Sequence, residues 1–156
     1  MKQIEFCERI SQYRYQLYIT AYTLLRNEAD AEDAVCNAIL NGYEHLAQLK
    51  NPKKFESWML TITRNEALKL CKKRMDLPGN ESIEQLLPPT YDNHNELWDI
   101  VQTLKEDYRI VIVLFYYNSL SLRDISSVLG ISIGTVKSRL NRGRKLLKDA
   151  LGEQVE

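Results

Sequence analysis

Ser138, Asn141, Arg142 and Lys145 recur at the spacing of one helical face, and each carries groups suited to base edges or phosphates. An arginine fork matches the paired acceptors of phosphate or guanine, an asparagine amide matches the mixed edge of adenine, and a serine hydroxyl serves either. Lys137, Arg139, Arg144 and Lys148 flank this face. From Arg123 to Lys148 there are seven cations and one anion, Asp124. A solvated helix face ordinarily mixes signs, so this segregation is the electrostatic footprint of phosphate binding.

Bond-making chemistry finds no comparable support. Cys7, Cys36 and Cys71 form no C-x-x-C pair, and His45 and His94 are distant in sequence. Buried free thiols are expected, with no disulfide framework, metal or cofactor. The carboxylates lie mainly outside the basic blocks, unaccompanied by a nucleophile–base pattern, so no catalytic residue is assigned and an enzyme acting on nucleic acid is disfavoured.

Two short helices must position the cationic face. Ser121 is placed to cap the first, with Asp124 at capping-box spacing, and Leu122, Ile125, Val128 and Leu129 form its apolar side. Gly130 can adopt the positive φ that ends a helix, and Ser132 is placed to cap the next. On that second helix Val136, Leu140, Gly143 and Leu147 stack into a buried stripe, leaving the cations outside. Two helices joined by a short turn, the second bearing Arg forks and small polar groups, fit the DNA major groove.

A second basic block, NPKKFESWMLTITRNEALKLCKKRM, interleaves Phe55 and Trp58 with Lys50, Lys53, Lys54, Arg64, Lys69, Lys72, Lys73 and Arg74. Rings among cations suit unstacked DNA, because bases stack while phosphates are neutralised. Phe55, Trp58, Ile62 and Leu68 also recur at helical spacing, so Trp58 reads as core or as a base platform. Asn65 reads as a polar bond across the core or as a base-edge contact. The preceding helix opens with Glu28, Asp30, Glu32 and Asp33, which complement its dipole and would repel DNA; a partner there should be protein.

The chain has 156 residues and zero formal net charge, but the charge is partitioned. Residues 1 to 49 carry four cations and seven anions, and residues 50 to 75 carry eight and two. Residues 76 to 122 reverse this with two and eight, before the basic block that ends at Lys148. Basic surfaces thus alternate with surfaces for a different partner. Helical periodicity dominates, with helices expected over roughly Ile4–Leu25, Ala29–Leu49, Lys54–Met75, Glu96–Leu104 and Glu106–Tyr117 ahead of the final pair. Ile10, Tyr13, Leu17, Ala21 and Leu24 mark the buried face of the first. Ala31, Ala34, Val35, Ala38, Ile39, Gly42, Tyr43 and Leu46 mark that of the second. Residues 76 to 95 hold three of the four prolines and no cation, and read as an extended linker. The fold class is all-α: two small helical domains, 1–75 and 96–156, joined by a flexible acidic linker, the second domain ending in a helix-turn-helix. No apolar run is long enough to cross a bilayer and no N-terminal apolar segment follows basic residues, so no membrane insertion and a cytoplasmic location are expected.

DAEDAV followed by an apolar helix, FESWMLTITRNEAL, LKEDYRIVIVLFYY and LSLRDISSVLGISIGTVKSRLNRGRKLL together resemble the bacterial RNA polymerase sigma factors of the extracytoplasmic-function group, in that family's order and over nearly the whole chain. The resemblance implies a promoter-melting domain, a linker and a helix-turn-helix domain, acting in promoter-specific initiation. It implies minus-35 contacts by Thr135, Lys137, Ser138, Arg139, Asn141, Arg142 and Lys145. The loop Gln48 to Lys54 and the helix after it supply the minus-10 set: Leu49, Lys50, Lys53, Lys54, Trp58, Arg64 and Asn65. Glu32, Asp33 and Asn37 stand on the surface that grips polymerase, although Asn37, Ala38 and Leu40 replace the glutamine, glutamate and phenylalanine common in relatives. The implied partners are core RNA polymerase, promoter DNA and, where one exists, an anti-sigma factor. A stand-alone helix-turn-helix regulator is the alternative; it would leave the basic aromatic block and acidic linker without a purpose.

Overall fold

The computed structural model describes residues 1–75 and 96–155, all but a few of them helical. The chain divides into two compact units, Met1–Leu87 and Pro88–Glu156. The linker expected over 76–95 lies outside the described residues.

In the first unit α1 (Gln3–Leu25), α2 (Glu28–Glu44) and α3 (Phe55–Met75) pack pairwise into a three-helix bundle. The α1–α2 turn is tight because Arg26 takes a left-handed φ of 58° and returns its backbone N–H to Tyr22 O. Asn27 then caps α2 by accepting the N–H of Asp30 at 2.9 Å. Burial pushes the Tyr22 phenol above its ordinary pKa, against the opposing effect of the neighbouring Arg26 guanidinium.

Alanines at 31, 34 and 38, with Val35, give α2 a small-residue face that lets its neighbours approach. On α3 the buried side chains are Phe55, Met59, Leu60, Thr63, Glu66 and Ala67. Phe6 joins the helices at one end, meeting Phe55 edge to face at 5.8 Å and Tyr43 at 5.7 Å.

Several sequence expectations are corrected here. The second helix stops at Glu44, and one 3₁₀ turn, Leu46–Gln48, carries the chain into the loop. Tyr43, expected inside, is 41% exposed, although its ring meets Phe6 at 5.7 Å. The α3 core follows the stripe Phe55, Met59, Thr63 and Glu66 rather than one through Trp58, Ile62 and Leu68; Leu68 is exposed. Buried thiols are not found either: Cys7 and Cys36 are exposed and Cys71 is half-buried, since each lies off its helix's core face.

The second unit contains α4 (Glu96–Thr103), α5 (Glu106–Ile112), a π-helical turn (Val113–Tyr117), α6 (Leu122–Leu129) and α7 (Ile133–Val155). α7 packs on α5 and α6 through Val136, Leu140, Gly143 and Leu147, all buried, as their spacing predicts. Leu104 and Val113 add to the same core, and Arg109 is buried with Nη1 donating to Leu104 O at 3.2 Å.

Candidate nucleic-acid and polymerase interfaces

The orientation of α7 is set by short-range bonds at its start. Ser121 Oγ accepts the N–H of Asp124 at 3.1 Å, and Gly130, at φ 66°, closes α6 with its N–H on Ser126 O. Ser126 Oγ donates to Ile131 O across the turn, and Ser132 Oγ accepts the N–H of Thr135 at 3.1 Å. Each orphan backbone group satisfied here removes freedom from the turn, so α6 and α7 behave as a rigid pair.

That rigidity aims the cationic face outward. Lys137, Ser138, Asn141, Arg142 and Lys145 are exposed, and Thr135 is half-buried, its Oγ1 2.9 Å from Ser132 Oγ. Arg139 is half-buried and faces Asp107 at 3.9 Å, an open pair too weak to withhold the guanidinium from a phosphate. Arg144 is engaged within the unit: its Nε donates to Tyr116 Oη at 2.7 Å, and the guanidinium lies over the Phe115 ring at 5.2 Å. The sequence pattern could not separate this structural arginine from the others, because its partners come from the π-helical turn 28 residues earlier.

In the first unit the loop before α3 is held from two sides. Arg9 Nη1 donates to Pro52 O at 2.6 Å, and Asn51 Oδ1 accepts the N–H of Lys53 at 3.1 Å. Leu49, grouped with the DNA-contacting residues by its position, is buried at 8% exposure, so its side chain anchors the loop from within. Lys50, Lys53 and Lys54 remain on the surface.

Trp58, Ile62, Asn65, Lys69 and Lys72 follow a four-three-four-three spacing and form one outward stripe of α3. Trp58 is half-buried, its ring tilted on Phe55 at 6.4 Å, so it has both a packed and an open side. Asn65 is exposed, which removes the reading in which it bonds across the core. Arg64 lies off this stripe and is half-buried. Above Trp58 the stripe opens into a cleft of about 450 Å³ lined by Asn41 of α2 with Ile62, Asn65, Leu68, Lys69 and Lys72. Sequence reasoning missed Asn41, which is 24 residues from Asn65 and joins it only because α2 and α3 pack side by side.

The acidic start of α2 separates into structural and available groups. Asp30 pairs with Arg74 Nε, locking the two ends of α2 and α3 together. Glu32 Oε2 meets Arg14 Nη2 at 3.3 Å on the exposed flank. Asp33, Asn37 and Leu40 are exposed, Leu40 at 63%, so an acid, an amide and an apolar side chain are available on this helix.

With both surfaces placed, comparison with known proteins is decisive. The Sigma-70 region 2 family matches residues 9–76, and the Sigma-70 region 4 family matches residues 94–147. The ECF RNA polymerase sigma factor SigW of Bacillus subtilis is 30% identical over 96% of this chain and 90% of its own length. The chain belongs to the ECF RNA polymerase sigma factors. RNA polymerase sigma factor SigV of the same organism is 26% identical, over 93% of this chain and 90% of its own. Among solved structures, the sigma factor RpoE from Bartonella quintana, in complex with the anti-sigma factor NepR, matches with a TM-score of 0.80 and 24% identity, covering 95% of this chain and 97% of that one. CnrH in complex with the cytosolic domain of CnrY matches at 0.69 and 21%, covering 97% and 90%. These likenesses concern the fold. Membership in the family makes this ECF sigma factor a subunit for promoter-directed transcription initiation. No helix among its described residues is long and apolar enough to cross a membrane.

Proposed function

We propose that the two units divide promoter recognition between them. The second unit reads the minus-35 element through Lys137, Ser138, Arg139, Asn141, Arg142 and Lys145 in the major groove, with Thr135 at the entry of the helix. The first holds the opened minus-10 strand, with Lys50, Lys53, Lys54 and Arg64 on phosphates and with Trp58 and Asn65 meeting bases. Glu32, Asp33 and Asn37 form the contact with core RNA polymerase. The sigma factor acts by recognition rather than catalysis, in the cytoplasm where polymerase and chromosome meet, and an anti-sigma factor is a further partner, as NepR is for the Bartonella protein.

The observation that carries this reading is the separation of faces on α7. Its apolar stripe packs on α5 and α6, while five polar or cationic side chains from Lys137 to Lys145 stand exposed on the opposite side. A bare regulator would need only this unit; the outward Trp58–Lys72 stripe and the acidic α2 surface give the first unit its separate tasks.

Reconstitution with core polymerase tests the assignment. The full chain should convert core enzyme to promoter-specific initiation on a subset of genomic fragments, mapped from RNA 5′ ends. Promoter binding without core polymerase and no stimulation of initiation would instead establish a stand-alone regulator.

A further inference from the structure

Arg9 stands on α1, 43 residues before Pro52, whose carbonyl it binds. Its Nη1 donates to Pro52 O at 2.6 Å, and its other terminal nitrogen, Nη2, meets Glu5 Oε1 at 3.5 Å one helical turn earlier. The guanidinium carbon also lies 5.7 Å from the centre of the Phe55 ring, and Phe55 is 1% exposed. A planar fork serves these three partners at once, which the point charge of a lysine cannot do. Arg9 is therefore fixed in orientation as well as in place.

The loop that it touches has little of its own to hold it on the bundle. Its two 3₁₀ turns, Leu46–Gln48 and Pro52–Lys54, close on neighbouring backbone, with Leu49 N–H on Leu46 O and Lys54 N–H on Asn51 O. Bonds of that range shape each turn without docking it. Leu49, buried, docks the start of the loop, and Arg9 docks Pro52. Lys50 follows the first anchor directly, and Lys53 and Lys54 follow the second. A carbonyl held by a charge-assisted bond fixes the backbone beside it, so the flexible stems of Lys53 and Lys54 start from a defined point.

We propose that Arg9 is a positioning residue for promoter binding, acting through Pro52 to set where Lys53 and Lys54 meet the phosphates of the opened strand. The inference rests on the reading that this loop holds that strand. Arg9 itself touches no DNA in this arrangement: its fork is turned to Pro52, Glu5 and Phe55. Lys50 is independent of it, because its neighbour Leu49 is anchored by burial.

The test uses holoenzyme reconstituted from the full chain and core polymerase, binding a promoter fragment whose melted segment is already unpaired, at several salt concentrations. Arg9→Ala should weaken binding about tenfold, the size of effect expected on losing a charged hydrogen bond. The salt slope should fall by about 1 as phosphate contacts are lost. Binding of a duplex minus-35 fragment, association with core and the thermal melt of the free chain serve as controls. Arg9→Lys keeps the charge and should show most of the same loss; it also carries the test if the alanine variant misfolds. In a chain already bearing Lys53→Gln and Lys54→Gln, Arg9→Ala should have little further effect, whereas in a Lys50→Gln chain its full effect should remain. Wild-type binding by both Arg9 variants would overturn the proposal. So would an undiminished Arg9→Ala effect in the Lys53→Gln, Lys54→Gln chain, which would make Arg9 a phosphate contact or a support of the whole bundle. If the Lys53→Gln, Lys54→Gln chain bound the opened fragment as tightly as the wild type, the reading of the loop itself would fall, and the proposal with it.

Discussion

Gly143 of α7 packs directly against Ile112 of α5: a β-carbon at 143 would sit 3.0 Å from Ile112 Cγ1 and 3.2 Å from Cδ1. The missing side chain is what lets α7 lie close to α5, and that approach sets where its opposite face stands. Gly143→Leu should therefore destabilise the second unit, because overpacking costs about 1–3 kcal/mol against a helix-propensity gain of about 0.8 kcal/mol. Gly134, on the same helix, has only Ser132 Oγ near, at 3.9 Å, so Gly134→Ala should be neutral or stabilise by up to about 1 kcal/mol. Thermal melts should fall for Gly143→Leu and hold or rise for Gly134→Ala. A Gly143→Leu variant as stable as the wild type would show that the α5–α7 contact is loose.

The second unit was the more legible part of the molecule. Its caps at Ser121 and Ser132, the αL glycine at 130 and the stripe from Val136 to Leu147 all act within a few residues of one another, so sequence spacing alone determines them. In the first unit, partners come from separate helices. The buried face of α3 is defined by what α1 and α2 offer it, and helical spacing alone does not distinguish the stripe through Met59 and Thr63 from one through Trp58 and Ile62. Leu49, Arg144 and Asn41 share this cause: each has its place decided by residues distant in sequence, through core burial, Tyr116 and Glu66 respectively.

On the recognition face, Arg142→Ala and Lys137→Ala should weaken promoter binding without lowering stability, because both side chains are exposed and off the apolar stripe. Loss of a base-contacting arginine should cost about 1–3 kcal/mol and relax preference at one position. Loss of a phosphate-contacting lysine should weaken all sequences alike and reduce the salt slope by about 1. Binding isotherms at several salt concentrations separate the two; unchanged affinity in both variants would remove α7 from the major groove.

Asp33→Lys should impair association with core polymerase while leaving helicity intact. Asp33 is exposed, and Asp30 and Glu32 already have their own arginine partners, so reversing Asp33 changes the surface without breaking an internal ion pair. Capture of core enzyme by wild type and variant with equal efficiency would move the polymerase contact elsewhere.

Asn65→Ala distinguishes strand capture from a role in the fold. Asn65 is exposed, so its removal leaves no buried partner unsatisfied, and the melting temperature should stay within about 2–4 °C of the wild type. A flipped base that loses its hydrogen-bonding partner still bears its unstacking cost, so open-complex formation should fall while minus-35 binding persists. Permanganate reactivity of promoter thymines reports the opened strand, and duplex binding to an isolated minus-35 sequence reports the second unit. Weakened thymine reactivity with intact minus-35 binding and an unmoved melt is the expected combination. Full thymine reactivity in the variant would exclude Asn65 from strand capture and leave the cations of the loop and α3 as a phosphate-binding surface without base recognition at that residue.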